Sequence, residues 1–268
     1  MTRIAFLGVY RVFWLTFFVL LFAFFSMESM VFIKKAFLER NDTFWNIIFL
    51  AFFFLFLQFV FATKLSLSKR DYLWASLISI FSLSVSGLIF FVNSFFVRQV
   101  IVGIALALLF FSMREYQRLN RSQELSLKGI LFVFHFMTLF FFFTFSLAVH
   151  INFAIPQIVL MFFYGLVVFL TSLHSFLSVH ITEVKRSLQY SLLLAFLFLQ
   201  LAWFIHFWPF GYLTTGVILL VIYYVLWDLF QSHFEKTLRL QRFFTDIILL
   251  IVLVGIVLVS TPWTIVGN

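Results

Sequence analysis

The sequence predicts an all-α integral membrane protein, a polytopic bundle of about nine transmembrane helices with the N-terminus inside and the C-terminus outside. Three observations carry this expectation. The 268 residues are 64% hydrophobic and only 10% charged, against about 25% charged in soluble domains, and the mean hydropathy is +1.14. Nine apolar runs of membrane-crossing length recur along the chain, and Lys and Arg gather in alternate connections between them. Soluble, disordered and secreted disulfide-rich classes are excluded by the same composition. With no cysteine in the chain, there is no disulfide, thiolate nucleophile or Cys-ligated metal.

A helix rises 1.5 Å per residue, so about 20 apolar residues cross a hydrocarbon layer of about 30 Å. The runs are 12–33, 44–63, 72–92, 96–113, 128–149, 157–179, 188–207, 212–230 and 244–262, forming a single transmembrane domain over 1–268. The first begins amid apolar residues that start at Ile4, with Arg11 interrupting. It is too long for a signal-peptide core and no small-x-small cleavage site follows it, so it reads as a retained helix. The third carries Ser76, Ser79, Ser82, Ser86 and Gly87 mostly on one face, the fourth Gly103 and Ala107, the sixth Thr171 and Ser175. Small residues mark helix contacts in lipid, so these faces are expected to point inward. The fifth has Phe140 to Phe143 in succession and touches lipid and protein alike. Trp45, Trp74, Trp208, Tyr212 and Trp263 near span ends make an aromatic belt. The narrowest link is the 93–99 turn, where a re-entrant kink would remove two spans together.

Orientation follows from basic residues in short loops. With the N-terminus inside, the inner segments hold Arg3, Arg11, Lys64, Lys69, Arg70, Arg114, Arg118, Arg121, Lys128, Lys185, Arg186, Lys236, Arg239 and Arg242, while the outer ones hold only Lys34, Lys35, Arg40 and Arg98. That asymmetry accounts for the net charge of +8 without invoking nucleic acid. An offset of 116 residues superposes spans 2 to 5 on spans 6 to 9, and Lys69-Arg70 on Lys185-Arg186. It gives a weak 4+4 parallel repeat about the membrane normal. The regular recurrence of spans accounts for the match equally well.

Polar residues at membrane depth are expensive and mark candidate sites. His135 lies seven residues from Lys128, about 10 Å, and His174 lies eleven from Lys185, about 16 Å. The helices that carry them are joined by a short turn with Pro156, so the two rings are expected to approach each other. Gln200 completes this candidate binding set. At the outer surface His150, Asn152, Gln200 and His206 form a second candidate group, with Trp203 one turn from both Gln200 and His206. Arg114, Arg118 and Arg121, spaced i, i+4, i+7, share a helical face. They read as headgroup or partner contacts, or as the positive-inside signal alone. Glu28 reads as interfacial.

No H-E-x-x-H, G-x-S-x-G, Gly-rich phosphate loop or paired-aspartate Mg²⁺ motif occurs. No catalytic residue, metal site or cofactor is expected. Three functions fit. The first is binding or transport of a small or lipid-like molecule among spans 5, 6 and 7. The second is a non-catalytic membrane subunit, sensor or scaffold. The third is a bis-histidine haem protein, which would want matched histidine pairs on two helices, and only one helix has one. The expected partners are the bilayer, anionic lipid at the inner loops and other membrane subunits, with no nucleic acid. The expected location is a membrane, the cytoplasmic membrane in a prokaryote.

Overall fold

A computed structural model describes residues 69–260, apart from 93, 120–127, 154, 180–182, 206, 209 and 238. Seven helices run through them: α1 (Lys69–Phe91), α2 (Phe95–Leu119), α3 (Lys128–Phe153), α4 (Gln157–Val179), α5 (Val184–Ile205), α6 (Tyr212–Phe234) and α7 (Leu240–Ser260). They coincide with the third to ninth expected runs. The runs 12–33 and 44–63, with Glu28, lie outside the described residues.

Four helices, α3 to α6, are long and apolar enough to cross a membrane. The apolar stretches of the other three are shorter, Leu73–Ile89, Phe96–Ser112 and Phe243–Val259. Charge near the ends limits them: Lys69, Arg70 and Asp71 open α1, Arg98 opens α2, Arg114 and Arg118 close it, and Arg242 and Asp246 sit in α7.

The breaks between helices have local causes. Ser94 caps α2: its carbonyl accepts from the Arg98 N–H at 3.1 Å and its hydroxyl from the Val97 N–H at 3.5 Å. A new helix therefore starts after Ser94. Pro156 cannot extend α3 and instead starts α4, its carbonyl accepting from Val159 at 3.0 Å. Gly211 and Arg239 supply the first carbonyls of α6 and α7 in the same way. α6 ends in a Schellman turn, Thr237 N–H to Ser232 carbonyl (2.9 Å) and Lys236 N–H to His233 carbonyl (3.1 Å). Lys236 holds the left-handed position, φ 57°, that glycine usually takes.

The chain falls into two compact units, Met1–Phe134 and His135–Asn268, divided within α3. In the first, α1 is buried around most of its circumference: Trp74, Leu77, Ile78, Phe81, Val85 and Leu88 are all enclosed. Trp74 and Phe81 close on Phe134 at 5.1 and 5.0 Å between ring centres. Ser79 and Ser82 face inward as expected, with Ser84. Gly103 and Ala107 do not: both are exposed, and the inward residues of α2 are Ala105, Leu109 and Ser112.

In the second unit, α3 to α6 pack around stacked rings. Phe143 lies between Tyr164 (5.1 Å, 13°) and Phe198 (5.7 Å, 5°). Tyr223 meets Phe198 at 5.6 Å and Phe136 at 5.5 Å. Small residues set the closest approaches. A Cβ on Gly216 would stand 2.5 Å from Thr144 Oγ1, and one on Gly165 2.8 Å from Leu199 Cγ. α5 buries Ser187, Ser191, Ala195 and Ala202 along one face, a small-xxx-small run. α5 exposes its other face, through Leu192 and Phe196 among others. α1 and α5 correspond at the 116-residue offset yet are buried differently, one nearly all round and the other on one face. The packing thus gives the proposed repeat no support.

Candidate functional site

The hydroxyls of the spans are mostly satisfied within their own helices. Ser79, Ser84, Thr144, Ser146, Thr171 and Ser191 each donate to the carbonyl four residues back, at 2.6–2.8 Å. Polar contacts between helices are therefore few and specific. Ser172 and Tyr223 share a hydrogen bond at 3.1 Å. Tyr164 donates to the Phe143 carbonyl at 3.3 Å. Gln157 donates to the Trp203 carbonyl at 3.1 Å.

The fourth contact is the expected histidine pair. His135 Nε2 and His174 Nδ1 lie 2.7 Å apart, with ring centres at 4.9 Å. Both side chains are buried. One nitrogen donates and the other accepts, which fixes complementary tautomers across α3 and α4. The same distance excludes a metal between these two nitrogens as they are seated. Two metal–nitrogen bonds of about 2.0–2.1 Å hold their nitrogens about 3.3 Å apart at a tetrahedral centre and about 4 Å apart across a trans axis. The pair is a hydrogen-bonded clasp, and the bis-histidine haem reading has no ligand geometry here. Among the described residues, no three His, Asp or Glu side chains gather so as to hold a metal ion.

Of the other expected residues, Gln200, His150, Asn152 and Trp203 are described. Gln200 is exposed, on the face of α5 away from the buried set. His150 donates from Nδ1 to the Ile155 carbonyl at 2.9 Å and so fastens the turn into α4. Asn152 donates to the Ala148 carbonyl at 2.7 Å. Trp203 is 52% exposed, and His206 lies outside the described residues. His150 and Asn152 thus each hydrogen-bond to nearby backbone. Arg114 and Arg118 stand in the last turns of α2; their side chains, and all of Arg121, lie outside the described residues.

The concavity lies elsewhere. Between α5, α6 and α7 runs a groove of about 560 Å³, lined by Gln189, Tyr190, Leu193, Leu226, Leu229, Phe230, His233 and Phe243. That size falls in the range of small-molecule sites, about 300–1,000 Å³. Leu226, Leu229, Phe230 and His233 are one face of α6; Gln189 and Leu193 stand one turn apart on α5. The groove is polar at one end only, where Gln189, Tyr190 and His233 meet, with Tyr190 and His233 ring centres 6.0 Å apart. Arg186 stands at that end, its guanidinium 4.6 Å from the Phe234 ring centre and 5.8 Å from that of Tyr190. It also donates to Glu183 at 3.2 Å. The sequence contained a signal for this groove, the i, i+3, i+4, i+7 spacing of 226, 229, 230 and 233. The same spacing equally describes a lipid-facing stripe.

Among the described residues the secondary structure is all helical, and four of the seven helices are long and apolar enough to cross a membrane. Residues 77–260 match the family described as "Protein of unknown function (DUF5656)", and the chain belongs to that family. No curated protein and no solved structure matches it.

Proposed function

We propose that this chain is an integral membrane protein that binds a lipid-like amphiphile in the groove between α5, α6 and α7. The observation that carries the reading is the groove itself: apolar along Leu193, Leu226 and Leu229, polar at the Gln189–His233 end. That polarity gradient matches a molecule with one apolar and one polar end. The buried histidine pair joins α3 to α4 through one nitrogen of each ring and lies apart from the residues that line the groove. In this reading the candidate site runs along the side of α5 and α6. The protein's full architecture in this reading is nine spans, N-terminus inside and C-terminus outside. The groove's polar end then faces the cytoplasmic leaflet, since Lys185, Arg186, Lys236 and Arg239 flank it.

The test is lipid retention. Purified protein is exchanged into detergent, incubated with phosphatidylcholine and weighed intact by native mass spectrometry. Wild type is expected to keep one lipid per chain. Leu193→Trp and Leu226→Trp, which fill the groove from two helices, are expected to lose it while melting within a few degrees of wild type. Equal retention by both filled variants would refute the groove as the site.

A further inference from the structure

The groove's polar end is more basic than an amphiphile site in general requires. We infer that its occupant is an anionic phospholipid, with an acyl chain along Leu193, Leu226 and Leu229 and its phosphate against Arg186, Lys236 and Arg239. This deepens, and rests on, the groove reading above.

Three separate elements deliver the charge. Arg186 comes from the first turn of α5, held over Tyr190 and Phe234 by ring contacts. Tyr190 lines the groove itself. Lys236 sits three residues beyond the groove-lining His233, in the turn that closes α6. Arg239 starts α7, its carbonyl accepting from the N–H of groove-lining Phe243 at 3.1 Å. Lys236 and Arg239 are exposed, and so is Lys185 beside them. Two acids share this end. Glu183 is bound to Arg186 at 3.2 Å, and Glu235 accepts from Gln231 at 3.0 Å. Asp228 and Asp246 stand on α6 and α7 but do not line the groove. With Lys185, Arg186, Lys236 and Arg239 against Glu183 and Glu235, the end carries a net positive charge.

Physical reasoning assigns selectivity to the headgroup. An acyl chain that leaves the bilayer for an apolar groove exchanges one hydrocarbon surrounding for another, so it gains no hydrophobic free energy. Discrimination must come from the interface, where basic side chains attract anionic headgroups. The backbone at Lys236 points the same way. A left-handed φ of 57° favours Gly or Asn, and a lysine there adds charge at a conformational cost.

The experiment compares phosphatidylglycerol with phosphatidylcholine of identical chains, each titrated against the full-length protein and read by native mass spectrometry. Wild type is expected to prefer phosphatidylglycerol by tenfold or more. Arg186→Gln, Lys236→Asn and Arg239→Gln are each expected to lower that preference about fivefold, the effect of one basic residue at an anionic surface. Lys236→Asn keeps a residue that tolerates the left-handed turn, so its loss reports charge and not misfolding. Binding of phosphatidylcholine should persist in all three variants. Equal binding of the two lipids by wild type would overturn the anionic assignment and leave the groove standing. A preference for phosphatidylglycerol that persists in Leu193→Trp and Leu226→Trp would overturn both, placing the lipid elsewhere on the basic surface.

Discussion

A buried hydrogen bond between two side chains can be tested by its coupling, and His135–His174 is the clearest case here. Removing one ring leaves the other's buried nitrogen without this partner, at about 1–3 kcal/mol. Removing both discards donor and acceptor together. The expected result is that His135→Ala and His174→Ala each lower the thermal midpoint in detergent, while the double variant loses less than their sum. Double-mutant coupling should be about 0.6–2 kcal/mol, the range found for hydrogen bonds between membrane helices. Additivity would show that the rings do not bond. Lys236 gives a second residue-scale outcome. Relief of the left-handed strain at φ 57° should make Lys236→Gly more stable by about 1 kcal/mol, measured the same way, as it weakens anionic lipid binding. The histidine contact was legible before any coordinates, because a short Pro156 turn forces α3 and α4 antiparallel and the distances of the two residues from their basic ends are similar. The exposure of Gln200 depends on helix rotation. Its depth follows from counting residues, but which way α5 turns is decided by where Ser187, Ser191 and Ala195 pack.

Helix pairs in a bilayer associate through close approach, so the small residues at contacts govern the elements. At Gly216 an added Cβ would meet Thr144 Oγ1 at 2.5 Å and Thr144 Cα at 3.4 Å. Gly216→Ala should therefore separate α3 from α6 and cost about 1–3 kcal/mol. Thr144→Ala removes the nearest atom and should return a large part of that loss in the double variant. Gly255 in α7 is the control. Nothing lies within 4 Å of its added Cβ, so Gly255→Ala should be neutral or slightly stabilising. Thermal unfolding of the four variants reads both outcomes, and equal losses at Gly216 and Gly255 would refute the packing argument. Element existence and approximate bounds were legible throughout the described residues, since an apolar run of 20 residues in lipid has one economical conformation. Inward faces were legible only in part. Thr171 and Ser175 are buried as expected, whereas Gly103 and Ala107 face outward. A small residue permits close approach but does not summon a neighbour, and the approach on α2 is made at Ala105, Leu109 and Ser112.

Sidedness belongs to the molecule as a whole, and it decides what the groove can meet. The inner leaflet carries the anionic lipids of many membranes, and in the proposed N-in orientation the Lys185–Arg186 and Lys236–Arg239 clusters lie on that side. If the chain ran the other way, the basic end of the groove would face the opposite leaflet and the anionic occupant would lose its local supply. The absence of cysteine from all 268 residues makes the question direct, because a single introduced thiol reports without background. Ser94→Cys lies in the break between α1 and α2, and Thr237→Cys follows the turn that ends α6. In the proposed nine-span orientation the first is an outer connection and the second an inner one. A membrane-impermeant maleimide applied to intact cells should label the thiol at 94 at once and the thiol at 237 only after permeabilisation. The reverse pattern would invert the protein and with it the assignment of the groove to the inner leaflet. Labelling of both from outside would mean that an odd number of crossings does not separate them, and one of the helices between Phe95 and Phe234 would have to lie along the membrane instead of through it.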